Sequence, residues 1–506
     1  MAHTPSNAKA PPDLAKGIPS ADLPEGGKLT GRVGEDEVLV ARVGGELFAI
    51  GARCTHYQGP LGEGLIVGHT VRCPWHHAHF CLRTGEALAA PAIDPVKRWA
   101  VREADGVVRV EAEAGAAPAS PRPTSDTPRR VVVVGGGAAG FAAAERLRRE
   151  GFDGALTILS ADADAPYDRP NCSKDYLAGE APAEWMPLRG EDWYADNDID
   201  LHLGADAAAL DIAGRSLTLK DGRTFGYDAL LLATGAEPAR PPIRGFDRPD
   251  AFVLRSLRDA DALIAAAEKA KRVAVVGASF IGLETAAALR HRGLEVHVVA
   301  PEAIPLARIL GDDLGTWVRG LHEKAGVVFH LERKVAGWAE GRLMLEGGES
   351  LAADFVLLGV GVRPRTALAE AAGLKTDHGV LVDPDLRTSA EGVYAAGDVA
   401  RYPDPRTGQP IRVEHWVHAE RQGQHVARMI LGDEAPFNDA PFFWSAHPDA
   451  TVRYVGHAEA FDPPRVEGSL ERQDAEVQLA HDGRLMALAT VGRDVRSLEA
   501  GAAFES

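Results

Sequence analysis

The chain has 506 residues, enough for roughly three domains, and its 45% hydrophobic and 25% charged content is that of an ordinary globular protein. Its 55 basic and 73 acidic residues leave a net charge of −18, which gives no case for nucleic-acid binding. No apolar run reaches the roughly eighteen residues of a membrane span. The N-terminal stretch resembles neither a signal nor a transit peptide, and four cysteines are too few for a disulfide framework, so a reducing cytoplasm is expected.

Residues 1–27 show no periodic apolar pattern and are expected to form a flexible N-terminus. From 28 to 112, short alternating runs such as Glu37-Val-Leu-Val-Ala-Arg42, Glu46-Leu-Phe-Ala-Ile50 and Val107-Val-Arg-Val110 predict an all-β domain. Within it stand two boxes, Cys54-Thr-His56 and Cys73-Pro-Trp-His76, with sixteen residues between them. Two thiolates and two imidazoles in that order are the ligand set of a Rieske [2Fe–2S] centre, in which two histidines replace two cysteines on one iron. A structural zinc ion takes the same residue types. A zinc finger, however, groups its cysteines and then its histidines, whereas each box here mixes one of each.

Residues 113–128, rich in Ala, Pro and Ser, read as a semi-rigid linker that would let the small β domain approach a second redox centre and swing outward. At Arg129 the texture changes to apolar strand, glycine turn and Ala-rich helix, and it does so again at Arg272. Two doubly wound α/β domains are predicted, followed by a small α+β domain over 437–506. Val131-Val-Val-Val-Gly135-Gly-Gly137-Ala138-Ala139-Gly140 is a strand breaking into G-x-G-x-x-G and opening a helix. Its glycines let the backbone approach a pyrophosphate at the helix N-terminus. Asp162, about twenty residues on, is placed to accept from a ribose hydroxyl. In the second fingerprint, Gly277-Ala-Ser279-Phe280-Ile281-Gly282, Ser279 replaces the middle glycine. Glu302 follows Gly282 by about twenty residues, where a carboxylate favours a 2′-hydroxyl and repels a 2′-phosphate. NADH is therefore expected over NADPH.

The run Pro166-Tyr-Asp-Arg169-Pro-Asn-Cys172-Ser-Lys174 narrows the choice, together with Ala233-Thr-Gly235, Arg255, Gly359-Val-Gly361, Ala396-Gly-Asp398 and Glu414-His-Trp416. It resembles the FAD-dependent ferredoxin reductases of oxygenase systems. The stretch CPWHHAHFCLRTGEAL is similar to the second loop of Rieske ferredoxins. With both modules on one chain, nearly everything from about residue 28 onward resembles the apoptosis-inducing-factor-like Rieske flavoproteins.

The resemblance implies an FAD-binding domain in two parts, 129–250 and 379–436, around an NADH-binding domain at 251–378. Gly135, Gly137 and Gly140 would hold the FAD pyrophosphate. Arg169 and Arg255 would meet its nucleotide portion, Asp398 the ribityl chain, and Gly361 would join the cofactor-binding set. Trp416 and Trp444 would flank the isoalloxazine, and Lys174, paired with Glu284, would lie beside flavin N5. A lysine there stabilises negative charge on reduced flavin, and a carboxylate orients it.

The implied activity is an NADH oxidoreductase that passes hydride to FAD, then single electrons to the Rieske cluster and onward to a redox protein or small acceptor. Two other readings stay open: a redox-responsive NADH-binding interaction protein, and a thiol or peroxide reductase using Cys172. Ala78 and Phe80 stand where high-potential Rieske proteins resemble Ser and Tyr, so a potential near the low end of the range, about −150 mV, is expected. His77 stands where glycine is usual, and Cys81 where Asp is common. Histidine tolerates positive φ better than most residues, so His77 reads as a loop residue and Cys81 as a buried thiol.

Overall fold

The computed structural model describes residues 11–115 and 127–506, so most of the expected linker lies outside the described residues, as do residues 1–10. The described residues form two compact units, 11–115 with Asp494–Phe504 and Ser506, and 127–493 with Glu505.

The larger sheet of the first unit runs in the order Ile18–Pro19, Val107–Ala114, Arg98–Ala104, Glu46–Gly51, Asp36–Val43 and Lys28–Val33, all neighbours antiparallel. Side chains alternate across a strand, and here both faces are covered. Val38, Val40 and Ala49 pack with Leu14, Ile18 and Trp99. Leu39, Ala41 and Ile50 pack with Leu61, Val71 and Phe80. That is why the central strands are apolar at consecutive positions. A smaller antiparallel sheet, Leu65–Val67, Thr70–Arg72, His79–Cys81 and Ala87–Ala89, carries the second ligand box between its second and third strands.

This unit takes in two segments that the sequence pattern had placed elsewhere. Residues 11–27 are built into the fold: Leu14 N donates to Arg32 O and Arg32 N to Pro12 O, both at 2.8 Å, while Leu14 and Leu23 are buried. Three apolar anchors, Leu14, Ile18 and Leu23, do this without forming a periodic run. Helix Asp494–Phe504 also belongs here, burying Ser497, Leu498, Ala500 and Gly501 and packing against strand Leu65–Val67.

The second unit holds two parallel five-stranded sheets of the doubly wound kind. One runs Ile199–His202, Ala155–Leu159, Arg130–Val134, Ala229–Leu232, Val393–Ala395; the other runs Ala251–Phe252, Phe355–Leu358, Arg272–Val276, Glu295–Val299, Val327–His330. Val131–Val134 and Val273–Val276 are buried throughout, as strands covered on both faces must be. Val393–Ala395 pairs with Ala229–Leu232, so the chain completes its first sheet only after finishing the second. Helix Ala138–Arg149 packs closely on helix Trp416–Ile430, because a Cβ at Gly423 would collide with the Ala139 carbonyl. An antiparallel five-stranded sheet from Phe442–His447 to Arg484–Val491 completes the unit.

Candidate functional site

The two ligand loops, 54–59 and 73–78, are the same turn used twice. Cys54 N donates to Gly59 O and Cys73 N to Ala78 O, each at 2.8 Å. Gln58 N returns to Cys54 O at 2.9 Å and His77 N to Cys73 O at 3.1 Å. The fourth residue after each cysteine is left-handed, Gln58 with φ 61° and His77 with φ 59°. His77 is thus a loop residue whose backbone a glycine would suit equally. Across the loops, a Cβ at Gly59 would come within 2.6 Å of Cys73 Sγ, so glycine is what lets them close.

Cys54 and Cys73 are buried with their sulfurs within hydrogen-bonding reach of each other. His56 and His76 meet at 3.2 Å between their Nδ1 atoms. The donors therefore form a sulfur pair and an imidazole pair. Among the described residues no three His, Cys, Asp or Glu side chains converge as one ion requires. Two ligands on each of two irons suit this arrangement better than a tetrahedral zinc. The backbone N–H groups of His56 and Tyr57 point at Cys54 Sγ and would stabilise thiolate charge. Burial lowers His56 to about 4, so its ring is neutral, the state that ligates a metal. The adjacent Cys73 thiol, and then burial, push the Cys54 thiol up. Ala78 and Phe80 are fully buried and bring no hydroxyl to the sulfurs.

In the second unit, the residues expected at the two dinucleotide sites line one cleft of about 1550 Å³, except Gly140, Gly277, Gly282 and Glu302. That exceeds the roughly 300–1,000 Å³ of a single-ligand pocket, as two dinucleotides require. Gly140 and Gly282 lie behind the turns, where a Cβ would collide with the carbonyls of Gly135 and Gly277. A Cβ at Gly137 would meet nothing nearer than the Arg169 guanidinium, 3.6 Å away, so this turn leaves room for an anion facing a cation. Ser279 caps its helix: its Oγ accepts from Gly282 N at 3.2 Å and donates to Gly359 O at 2.8 Å. The cap does the local work that a middle glycine would otherwise leave to the backbone.

Glu302, Asp398 and Asp162 sit in three different settings. Glu302 is exposed in the loop after strand Glu295–Val299, and Arg308 is among the charged side chains that line the cleft. Asp398 accepts from Arg255 Nη2 at 2.6 Å, so these two form one ion pair at the cleft wall. Asp162 accepts from Tyr167 Oη at 2.8 Å, with the Arg169 guanidinium 4.0 Å away.

Lys174 Nζ donates to Glu284 Oε2 at 2.8 Å, and Glu284 is only 4% exposed, so this is not a surface ion pair. Ser173 Oγ donates to the same oxygen at 2.7 Å. Ser445 Oγ and Ala446 N donate to Oε1 at 2.8 and 3.2 Å. Each carboxylate oxygen therefore has two donors, and Lys174 Nζ lies 5.7 Å from the Trp444 ring centroid. Ser173 and Ser445 escaped the sequence reading, although each adjoins a residue that did not. Behind them, His322 Nε2 and His447 Nδ1 are 3.1 Å apart and buried. Burial, then the His447 ring, lowers His322 to about 3; burial, then the Lys174 charge, lowers His447 to about 3. Cys172 is buried, and that burial pushes its thiol up to about 12, opposite to what a reactive thiolate needs.

The sequence pattern of the pyridine nucleotide-disulphide oxidoreductases matches residues 129–423, and that of the Rieske [2Fe–2S] domain matches residues 15–100. Apoptosis-inducing factor 3 of Mus musculus is 31% identical over 492 residues, covering 94% of this chain and 81% of the relative. The anthranilate 1,2-dioxygenase system ferredoxin–NAD(+) reductase component of Burkholderia cepacia is 36% identical over 387 residues, 73% of this chain and 94% of the relative. The crystal structure of the ferredoxin reductase for the CYP199A2 system of Rhodopseudomonas palustris superposes with a TM-score of 0.71 at 32% identity, covering 73% of this chain and 93% of that one.

Proposed function

The chain belongs to the pyridine nucleotide-disulphide oxidoreductase family and carries a Rieske [2Fe–2S] domain ahead of its reductase; from this premise we propose that it oxidises NADH at FAD in the cleft and delivers the electrons through its own Rieske cluster to an acceptor. Bound FAD supplies the exchange between a two-electron hydride and single electrons, and the cluster supplies one-electron carriage. Gly135, Gly137, Ala138 and Ala139 offer the pyrophosphate a helix N-terminus with Arg169 opposite, and the Arg255–Asp398 pair sits at the same wall. Ser279, Phe280, Ile281 and Gly361 line the part of the cleft assigned to NADH.

The observation that carries the reading is the Lys174–Glu284 pair. A half-buried lysine with a buried carboxylate partner that takes four donors, the lysine among them, is a fixed positive charge with one orientation. Placed beside the flavin, it stabilises negative charge where hydride arrives and costs no reorganisation at that moment. Trp444 and Trp416 line the same region and would exclude water from it. The preference for NADH over NADPH is supported by the name of the Burkholderia relative rather than by Glu302, which stands outside the cleft.

Cys54 and Cys73 would hold one iron, and His56 and His76 the other. The cysteines form no disulfide, which suits a reducing compartment, and no helix among the described residues is long and apolar enough to cross a membrane. Dioxygenase-system relatives make an oxygenase component or a ferredoxin the first acceptors to try. Stopped-flow reduction by NADH tests the site: Lys174→Ala should slow flavin bleaching about 10²-fold, and an unchanged rate would remove Lys174 from the mechanism. The likeness to apoptosis-inducing factor 3 supports a second reading, a long-lived NADH-reduced state that changes interactions. Slow reoxidation by every acceptor would favour it, and rapid turnover with ferricyanide or cytochrome c would favour the reductase.

A further inference from the structure

The last helix of the chain, Asp494–Phe504, is part of the unit that holds the cluster loops and not of the sheet that precedes it in sequence. It buries Ser497, Leu498, Ala500 and Gly501, a spacing that puts them on one stripe. At 11 residues it is too short to be stable alone in water, so packing on the Rieske module is what keeps it helical. Ser497 Oγ meets His77 Nε2 at 3.1 Å, and both residues are buried. His77 is the left-handed residue of the second ligand loop, where glycine would serve the backbone as well. Its side chain has a reason that the loop alone does not supply: it receives the helix.

The connections from this helix to the reductase are short. Two residues separate the end of strand Arg484–Val491 from Asp494; three peptide steps reach at most about 11 Å. At the other end, Glu505 belongs to the reductase unit again. Its carbonyl accepts from Asn438 Nδ2 at 2.7 Å, and its carboxylate lies 3.7 Å from the Arg421 guanidinium.

We propose that the C-terminal helix is a second tether, by which the Rieske module grips the end of its own chain and stays with its own reductase independently of the 113–128 linker. The module is then a resident electron port and not a carrier released by one swinging connection. The grip stands on packing alone; only its redox consequence rests on the function proposed above.

The test introduces a specific protease site within residues 116–126 of the full, cofactor-loaded chain and cuts it. After cutting, the N-terminal fragment should co-elute with the remainder on size exclusion at micromolar concentration. Its cluster should be reduced by NADH within about twofold of the uncut rate, since a held module keeps its effective concentration. Deleting residues 494–506, or introducing Ser497→Arg, should release the fragment with its iron–sulfur colour intact, whereas Glu499→Ala, on the exposed face, should not. His77→Gly spares the loop backbone while deleting the imidazole, and should weaken reassociation of the separated pieces about tenfold. Elution of the fragment alone from the cut chain with its helix intact would overturn the proposal. So would co-elution after residues 494–506 are gone. Failure of NADH to reduce the cluster in the uncut chain would instead count against the proposed function and leave the tether standing.

Discussion

Glu284 accepts from Lys174, Ser173, Ser445 and the Ala446 backbone, and these donors come from two separate stretches of chain. Removing one hydroxyl leaves a buried charge less well held, and a hydrogen bond to a charged group contributes about 1.5–3 kcal/mol. Ser445→Ala should therefore slow NADH-dependent flavin reduction about tenfold while leaving the visible spectrum of oxidised flavin in place. Ser445→Thr should restore most of the rate, and failure of that rescue would make Ser445 a packing residue only. Of this site, Lys174 and Glu284 were legible because each lies in a run with recognisable spacing. Ser445 was not, because it lies 161 residues from Glu284 and nothing local in Trp444-Ser445-Ala446 announces a carboxylate partner. Glu302 keeps the expected spacing from the glycine turn, and the loop after its strand leaves the side chain exposed.

At the level of elements, the ligand loops are two copies of one turn, and what surrounds their sulfurs sets the potential. Backbone N–H groups aim at Cys54, but no hydroxyl comes from Ala78 or Phe80. A redox titration should place the cluster near the low end of the Rieske range, about −150 mV, and the double change Ala78→Ser with Phe80→Tyr should raise it. A value above zero for the unaltered protein would contradict this account of the loops. The strands around them were readable from alternation, whereas residues 11–27 were not, since three isolated apolar side chains give no period. Helix Asp494–Phe504 was equally opaque, because an apolar stripe says that a helix packs but not against what.

The reductase also has an acid weakness built into a helix and a strand. His322, on Asp312–Lys324, and His447, ending Phe442–His447, are buried against each other and titrate near 3, against 6.5 when unfolded. Between those values the unfolded chain binds more protons than the folded one. Stability from this pair is thus complete above about pH 6.5 and falls below it, by up to about 1.4 kcal/mol per pH unit for each ring. The melting temperature of the reductase should drop from pH 7 to pH 5, and His322→Gln with His447→Gln should flatten that slope. An unchanged slope in the double variant would show that other groups govern it.

For the whole molecule, the proposed electron route runs from NADH to flavin to cluster within one chain. The fold class was legible because two glycine turns with flanking strands and a pair of mixed Cys–His boxes are local patterns that survive any tertiary context. A net charge of −18 means that a protein acceptor must present a basic face or find a local exception. Anaerobic titration of the holoprotein with NADH, followed by visible and electron paramagnetic resonance spectra on the same samples, tests the route most directly. The flavin should bleach and a reduced Rieske signal should grow in, with Cys73→Ser abolishing the signal but not the bleaching. Flavin reduced to completion beside a cluster that stays oxidised, or a chain that binds zinc in place of iron and sulfide, would contradict it.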